Sequence, residues 1–315
     1  MSLQLAIMIE GQEGLTWERW RRLARAAEDL GYESLFRSDH LTGLLGESKR
    51  ASLETWASLT WLASATERIR FGPLVSPLTF HQPAILAKRA AAIAELSGGR
   101  LDLGLGAGWH EREHGMFGIP FPRVQERLDR LECGARAVRA LWEDRPVTLD
   151  QPYYPLVAAE SYPLPPGGRV PVIIGGRGER RTLRIVAQYA DEWNVTRVTF
   201  DDFVRKRSVL AQHCQAVGRK ADDIRRSFMV PIVTGGSRSE VDARLRAARA
   251  VFPHLPEDET GWHAAGFLSG PPETVIQDLR RWEQLGIGRV MLQILDQDDT
   301  ALLTLIAREV MPALR

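Results

Sequence analysis

The sequence is poor in the features that mark specialised protein classes. It has two cysteines, Cys133 and Cys214, in 315 residues, with no CxxC pair and no histidine at ligand spacing. A disulfide scaffold is thereby excluded, and two reduced thiols in a cytoplasmic protein are expected. No stretch approaches the run of about 18 apolar residues that a bilayer-spanning helix needs. The N-terminus, MSLQLAIMIEGQEG, lacks a basic segment, and its apolar run is too short for a signal peptide. Charge of one sign is also missing: Lys+Arg 41 against Asp+Glu 40 leaves +1. That balance removes a global electrostatic case for nucleic acid or a membrane surface as partner. What is present is ordinary, 44% hydrophobic and 26% charged, enough for a sizeable core.

Short apolar runs recur along the chain, and a segment of helical period follows nearly every one. The runs are Leu3 to Ile9, Ser34 to His40, Ile69 to Leu78, Leu101 to Gly108, Pro171 to Gly176, Asp191 to Val195, Ser227 to Val233 and Arg289 to Leu295. After the first, Thr16 stands as an N-cap before Trp20, Leu23, Ala24 and Ala27, and Gly31 closes the segment. Pro83 opens another helix, and Gly98-Gly99 ends it. Strands alternating with helices of this length pair in parallel. Eight such units predict an α/β fold of the (β/α)8 barrel type, as one domain over residues 1–315. An open doubly wound sheet is the alternative that counting leaves. Residues 144–170, rich in proline, and 252–270 break the rhythm and read as loop insertions, the first as a long loop or hairpin.

In such a barrel the chemistry gathers at the C-terminal ends of the strands, which shortens the list of polar candidates. Ser38, Asp39 and His40 follow the second strand, and Ser76, Thr79 and His81 the third. Gly106, Gly108, Trp109, His110 and His114 follow the fourth; Asn194, Thr196 and Arg197 follow the sixth. The most informative run is Gly175-Gly176-Arg177-Gly178, at the end of the fifth strand and directly before a helix. Glycines there let backbone N–H groups approach an oxyanion, with Arg177 or Arg197 adding charge. The plainer reading is a tight turn that needs positive φ. No Gly-Lys-Ser/Thr follows, so this is not a Walker loop, and the spacing is not the dinucleotide fingerprint. His40 can exchange a proton near neutrality and Asp39 can fix its tautomer; the alternative is a histidine hydrogen-bonded beneath the next loop. The string His110-Glu111-Arg112-Glu113-His114 fits H-E-x-x-H to the letter, but it follows a glycine-rich strand end instead of lying inside an amphipathic helix, which argues against zinc. The tryptophans Trp17, Trp20, Trp56 and Trp61 read as packing residues, whereas Trp109 is placed to wall a ring-binding pocket.

These same residues carry a resemblance. Ser38-Asp39-His40, GPLVSPLTFHQPAILAKRAAAIAELSGGR, LDLGLGAGWHEREHGMFGIPFP and PVIIGGRGERRTLRIVAQYADEWN look like the bacterial luciferase-like superfamily, and most like its coenzyme F420-dependent oxidoreductases. The resemblance covers nearly the whole chain. It implies a (β/α)8 barrel that binds the deazaflavin F420, or FMN, and transfers a hydride to or from a small organic substrate, usually as a homodimer. By the resemblance, Asp39 and His40 match the ring-facing pair, with His40 as proton partner. A bulge after strand three, often with a cis non-proline bond, matches the stretch around Pro73, Leu74 and Val75. The phosphate loop matches Gly175, Gly176, Arg177 and Gly178, and the loop after strand four matches Gly106, Gly108 and Trp109. One position departs from the pattern: sugar-phosphate dehydrogenases of this kind carry an acid directly after Gly-x-Gly, where this chain has Trp109. That argues against a sugar phosphate as substrate. The alternatives are an FMN-dependent monooxygenase and a flavin-binding protein without turnover. Substrate choice is expected to lie in the loops at 41–52, 144–170 and 252–270.

Overall fold

A computed structural model describes residues 2–44 and 49–314; Leu45 to Ser48, within the 41–52 loop singled out above, lie outside the described residues. In chain order the first elements are β1 (Gln4–Ile9), α1 (Trp17–Asp29), β2 (Ser34–Arg37), α2 (Thr55–Ala65), β3 (Arg70–Pro73), β4 (Ser76–Pro77), α3 (Pro83–Leu96), β5 (Leu103–Gly106), α4 (Glu111–Met116) and α5 (Val124–Ala140). Then come β6 (Val147–Leu149), β7 (Leu156–Ala159), β8 (Val172–Gly175), α6 (Thr182–Tyr189), β9 (Glu192–Thr196) and α7 (Phe200–Ala216). The last are β10 (Arg225–Thr234), α8 (Arg238–Val251), α9 (Glu259–Ala264), β11 (Leu268–Gly270), α10 (Pro272–Gln284), β12 (Arg289–Ile294) and α11 (Thr300–Leu305). Two compact units result, one of Met1–Glu54, Asn194–Arg207 and Arg225–Arg315, the other of Thr55–Trp193 and Ser208–Ile224.

In the first unit β1 is parallel to both β12 and β2, with Ala6 opposite Met291 on one side and Ser34 on the other. Strand β10 is parallel to β12 and, further along, to β11. The Thr16 side chain caps α1 by accepting from the Arg19 N–H at 3.3 Å, and Gly31 adopts φ +77° after its last turn. The apolar stripe of α1 buries Trp20, Leu23, Ala24 and Ala27. Around α10, Trp282 is enclosed by Phe200, Phe203 and Phe228, with ring centroids 4.4, 5.8 and 4.2 Å away. Buried aromatic groups of this kind carry a large share of core stability.

In the second unit β5 is parallel to β8 and to β4. The expected 144–170 hairpin is present as antiparallel β6 and β7. Tyr154, in its turn, donates its hydroxyl to the Leu78 carbonyl at 2.7 Å, and Arg130 stacks over Tyr153 and Tyr154.

Four boundaries differ from expectation. The third apolar run is broken into β3 and β4 by a cis Leu74–Val75 bond. The second run, read as Ser34 to His40, is a strand only as far as Arg37, so Ser38, Asp39 and His40 follow the strand as expected. The helix after the glycine run begins only at Thr182, four residues later than Gly178, because the chain first has to turn over the Thr182 side chain. Residues 252–270 contain the helix α9 and a three-residue strand, β11, too short to leave a periodic signal.

Trp282→Ala removes the centre of the aromatic group and should lower the unfolding free energy by about 3–5 kcal/mol, measured by denaturant unfolding.

Candidate active site

The centre of the second unit's site is Val75. Its side chain lies against three strand-end glycines: a Cβ at Gly104 would fall 3.0 Å from Val75 Cγ1, one at Gly106 2.4 Å from Cγ2, and one at Gly175 3.2 Å from Cγ1. A Cβ at Gly104 would also strike the Pro73 carbonyl at 2.1 Å. The glycines of LGLG and of IIGG are therefore there to admit the Leu74–Val75 segment, which is the cis bond the resemblance implied.

Next to it, Gly108 adopts φ +76°. Its carbonyl accepts from Arg127 Nε at 3.2 Å, and a Cβ there would meet Thr79 Oγ1 at 2.5 Å. Thr79 in turn meets His114 Nε2 at 2.9 Å, while His114 Nδ1 lies 2.7 Å from the His110 carbonyl. A carbonyl can only accept, so Nδ1 carries a proton, and in the neutral ring Nε2 accepts from the Thr79 hydroxyl. His110 Nδ1 accepts from the Glu113 N–H at the start of α4. Both histidines of the H-E-R-E-H string thus serve the loop that carries Trp109. Among the described residues no group of three or more His, Cys, Asp or Glu is placed to hold a metal ion. Trp109 itself is 64% exposed, with His110 at its edge.

The Gly175–Gly178 turn is built by close approach. Gly176 adopts φ +137°, and its carbonyl accepts from Trp193 Nε1 at 2.8 Å. Cβ atoms at Gly176 and Gly178 would each come within 2.9 Å of Thr182. The plainer reading, a turn that needs positive φ, therefore holds at Gly176, while Gly178 is needed for close approach to Thr182. The oxyanion reading keeps its basis as well. Gly176 and Gly178 N–H donate to no acceptor among the described residues, and Arg177 and Gly178 are exposed. Open donors ahead of a helix N-terminus suit a phosphate group.

In the first unit Asp39 is buried and His40 half-buried, and the His40 carbonyl accepts from Ser52 Oγ. Beside them lies a residue that the sequence reading missed. Arg37 is fully buried, donating to the carbonyls of Leu53 and Ser38, with Gly11 against its guanidinium. Burial lowers its pKa to about 10, while Asp39, Glu54 and Glu10 favour its charged form. Arg37 is thus the counter-charge around which the segments after β1 and β2 are arranged. Glu10, Gln12, Gln293 and Gln297 were missed as well. Glu10 and Gln12 follow β1, Gln293 lies within β12 and Gln297 follows it, and only Glu10 carried the signal of polarity one step past an apolar run. Asn194, expected after the sixth strand, lies buried within β9 and donates to Ser227 Oγ at 3.0 Å.

Gly106→Ala should force Val75 aside at a cost of about 1–3 kcal/mol, as overpacking does. Combining it with Val75→Ala should recover most of that loss in the same unfolding experiment, because Val75 is the neighbour the new methyl meets.

Three comparisons bear on what this arrangement is. An F420-dependent glucose-6-phosphate dehydrogenase of Nakamurella multipartita is 27% identical, over 93% of this chain and 91% of that protein. An F420-dependent secondary alcohol dehydrogenase, solved with an F420–acetone adduct, superposes with a TM-score of 0.84 at 20% identity, covering 100% of both chains. The oxygenating constituent of 3,6-diketocamphane monooxygenase from Pseudomonas putida, solved with FMN, gives 0.79 at 17% identity over 100% of this chain and 99% of that one. The fold they share with this chain is the (β/α)8 barrel. The family model described as luciferase-like monooxygenase matches residues 3–268, and the chain belongs to that family.

Proposed function

We propose that the chain, as a single luciferase-like domain over residues 1–315, is an oxidoreductase that uses coenzyme F420 to exchange a hydride with a small organic substrate. The observation that carries this reading is the Gly175–Gly178 turn, with its two open amides, in a chain whose full-length relatives are named as F420-dependent. When bound, the deazaflavin supplies the hydride chemistry; the protein binds, orients and handles protons. In this reading Gly175, Gly176, Arg177 and Gly178 hold the phosphate. Leu74 and Val75, with Gly106, Gly108 and Trp109 beside them, support and border the ring. His40 would be the proton partner or would stabilise developing charge, and Asp39 would position it by hydrogen bonding.

A second reading is favoured by the family model's own description and by the FMN-bound neighbour: a monooxygenase working with reduced FMN and oxygen. Oxygen uptake with reduced FMN separates the two, because reduced flavin activates oxygen and the deazaflavin largely does not. Among the described residues no helix is long and apolar enough to cross a membrane. We infer a cytoplasmic protein from its two free cysteines. We also infer a homodimer, for which Ile85 at 58% and Leu96 at 53% exposure offer apolar surface on α3.

Titration of the purified protein should give saturable F420 binding tighter than that of FMN; binding of neither would end the proposal. His40→Ala should lower turnover by roughly 10²–10⁴ while coenzyme affinity stays within several-fold, as for loss of a general acid–base group. Unchanged turnover would remove His40 from its assigned role.

A further inference from the structure

Glu10 stands one residue past the end of β1 and is half-buried. Its two carboxylate oxygens are held by neutral amides. Gln293 of β12 donates to Oε1, and Gln12 donates to Oε2 at 2.9 Å. Gln12 is fixed in that sense because its own oxygen accepts from Ser38 Oγ, which in turn accepts from the Gly11 N–H. No cation among the described residues forms an ion pair with Glu10. The neighbouring carboxylate Glu13 is neutralised differently, by Arg50 at 2.7 Å and the Leu44 N–H at 2.8 Å. The buried cation Arg37 turns N–H groups to backbone carbonyls and shares its charge among Asp39, Glu54 and Glu10 without a direct ion pair to Glu10.

A second, independent observation comes from Gln297, which is 6% exposed. Its Nε2 lies 3.0 Å from the Glu10 carbonyl and 3.4 Å from that of Glu13. Two carbonyl partners fix which end of the amide is nitrogen. Its oxygen is therefore a buried acceptor with no donor. A carboxylate held by amides and without a direct ion pair thus adjoins a side chain whose oxygen has no donor, Gln297 being bound through its nitrogen to the Glu10 carbonyl. An N–H or O–H donor would complete the Gln297 oxygen, and one that carries positive charge would also pair directly with Glu10.

We propose that Glu10 is a specificity-determining residue that receives a protonated amine of the substrate, so that the small organic substrate is a cationic nitrogen compound and not a phosphate ester or carboxylate. Each oxygen of Glu10 has a lone pair left after Gln12 and Gln293 are served, and a substrate N–H or a water carried with it completes Gln297. The same negative charge disfavours an anionic substrate. The inference names the substrate class for the reaction proposed above and rests on that reading for its place in a reaction.

The test uses benzylammonium, benzyl alcohol and benzoate, three head groups on one ring, titrated calorimetrically at pH 7 into the purified chain with and without F420. Benzylammonium should bind saturably and the other two at least about tenfold more weakly; Glu10→Gln should weaken the ammonium by about 10- to 100-fold, as loss of a buried charge partner does. Glu10→Asp keeps the charge and should retain the preference with lower affinity, which guards against a Gln variant that fails to fold. Equal affinities for the three probes, or an unchanged ammonium affinity in Glu10→Gln, would overturn the proposal. If neither F420 nor FMN binds while the ammonium does, the coenzyme reading fails and this assignment stands. If the coenzyme binds and no charge preference is seen, only this one fails.

Discussion

Close contact between Val75 and three glycines is the constraint from which the rest of the second unit's site follows. Parallel strands normally carry β-branched or other bulky side chains, and a glycine inside one weakens it. Here β5 carries Gly104 and Gly106, and β8 ends at Gly175, because the Val75 methyls and the Pro73 carbonyl occupy the space their side chains would need. The loss of side-chain packing in two strands is offset by the contact itself. It also leaves backbone, not side chains, at the ends of β5 and β8, where amide groups meet whatever binds there.

The first unit solves a different problem, that of carboxylates gathered after β1 and β2. Arg37 is buried completely, a costly placement for a charge unless its donors are used. Its partners are main-chain carbonyls of Leu53 and Ser38, so the guanidinium pins the path of the chain while its field serves several acids at once. Glu13 has its own arginine in Arg50. Charge is therefore distributed unevenly on this turn of chain, with a direct ion pair at Glu13 and only the shared field of Arg37 at Glu10.

Much of this was legible in the sequence. Helix ends were visible wherever a cap or a glycine stop marked them, as at Thr16, Gly31, Pro83 and Gly98, since those signals are local. The phosphate turn and the Leu74–Val75 bulge came from resemblance, and the glycines carrying them look the same in sequence whether they serve φ or close approach. What escaped were features made by distant partners. Arg37 looks like the polar end of an apolar run until Leu53 closes over it. Glu10 and Gln293 stand 283 positions apart in the chain, and only the parallel register of β1 and β12 makes them neighbours. The strand β11 exists because β10 is ten residues long and runs on past its pairing with β12.

The hairpin of β6 and β7 is fastened through Tyr154 to a main-chain oxygen, that of Leu78, just past the Val75 segment. A bond to a carbonyl makes no demand on which side chain Leu78 carries, and stacking of Arg130 on the two tyrosines asks only for flat rings. The fastening thus leaves the side chain at Leu78 unspecified, while Val147, Leu149 and Leu156 are buried and Gln151 donates to the Cys133 carbonyl. A grafted hairpin would dock on the same scaffold only if it kept these apolar positions and returned a tyrosine to that point, which confines redesign of this segment to its exposed residues.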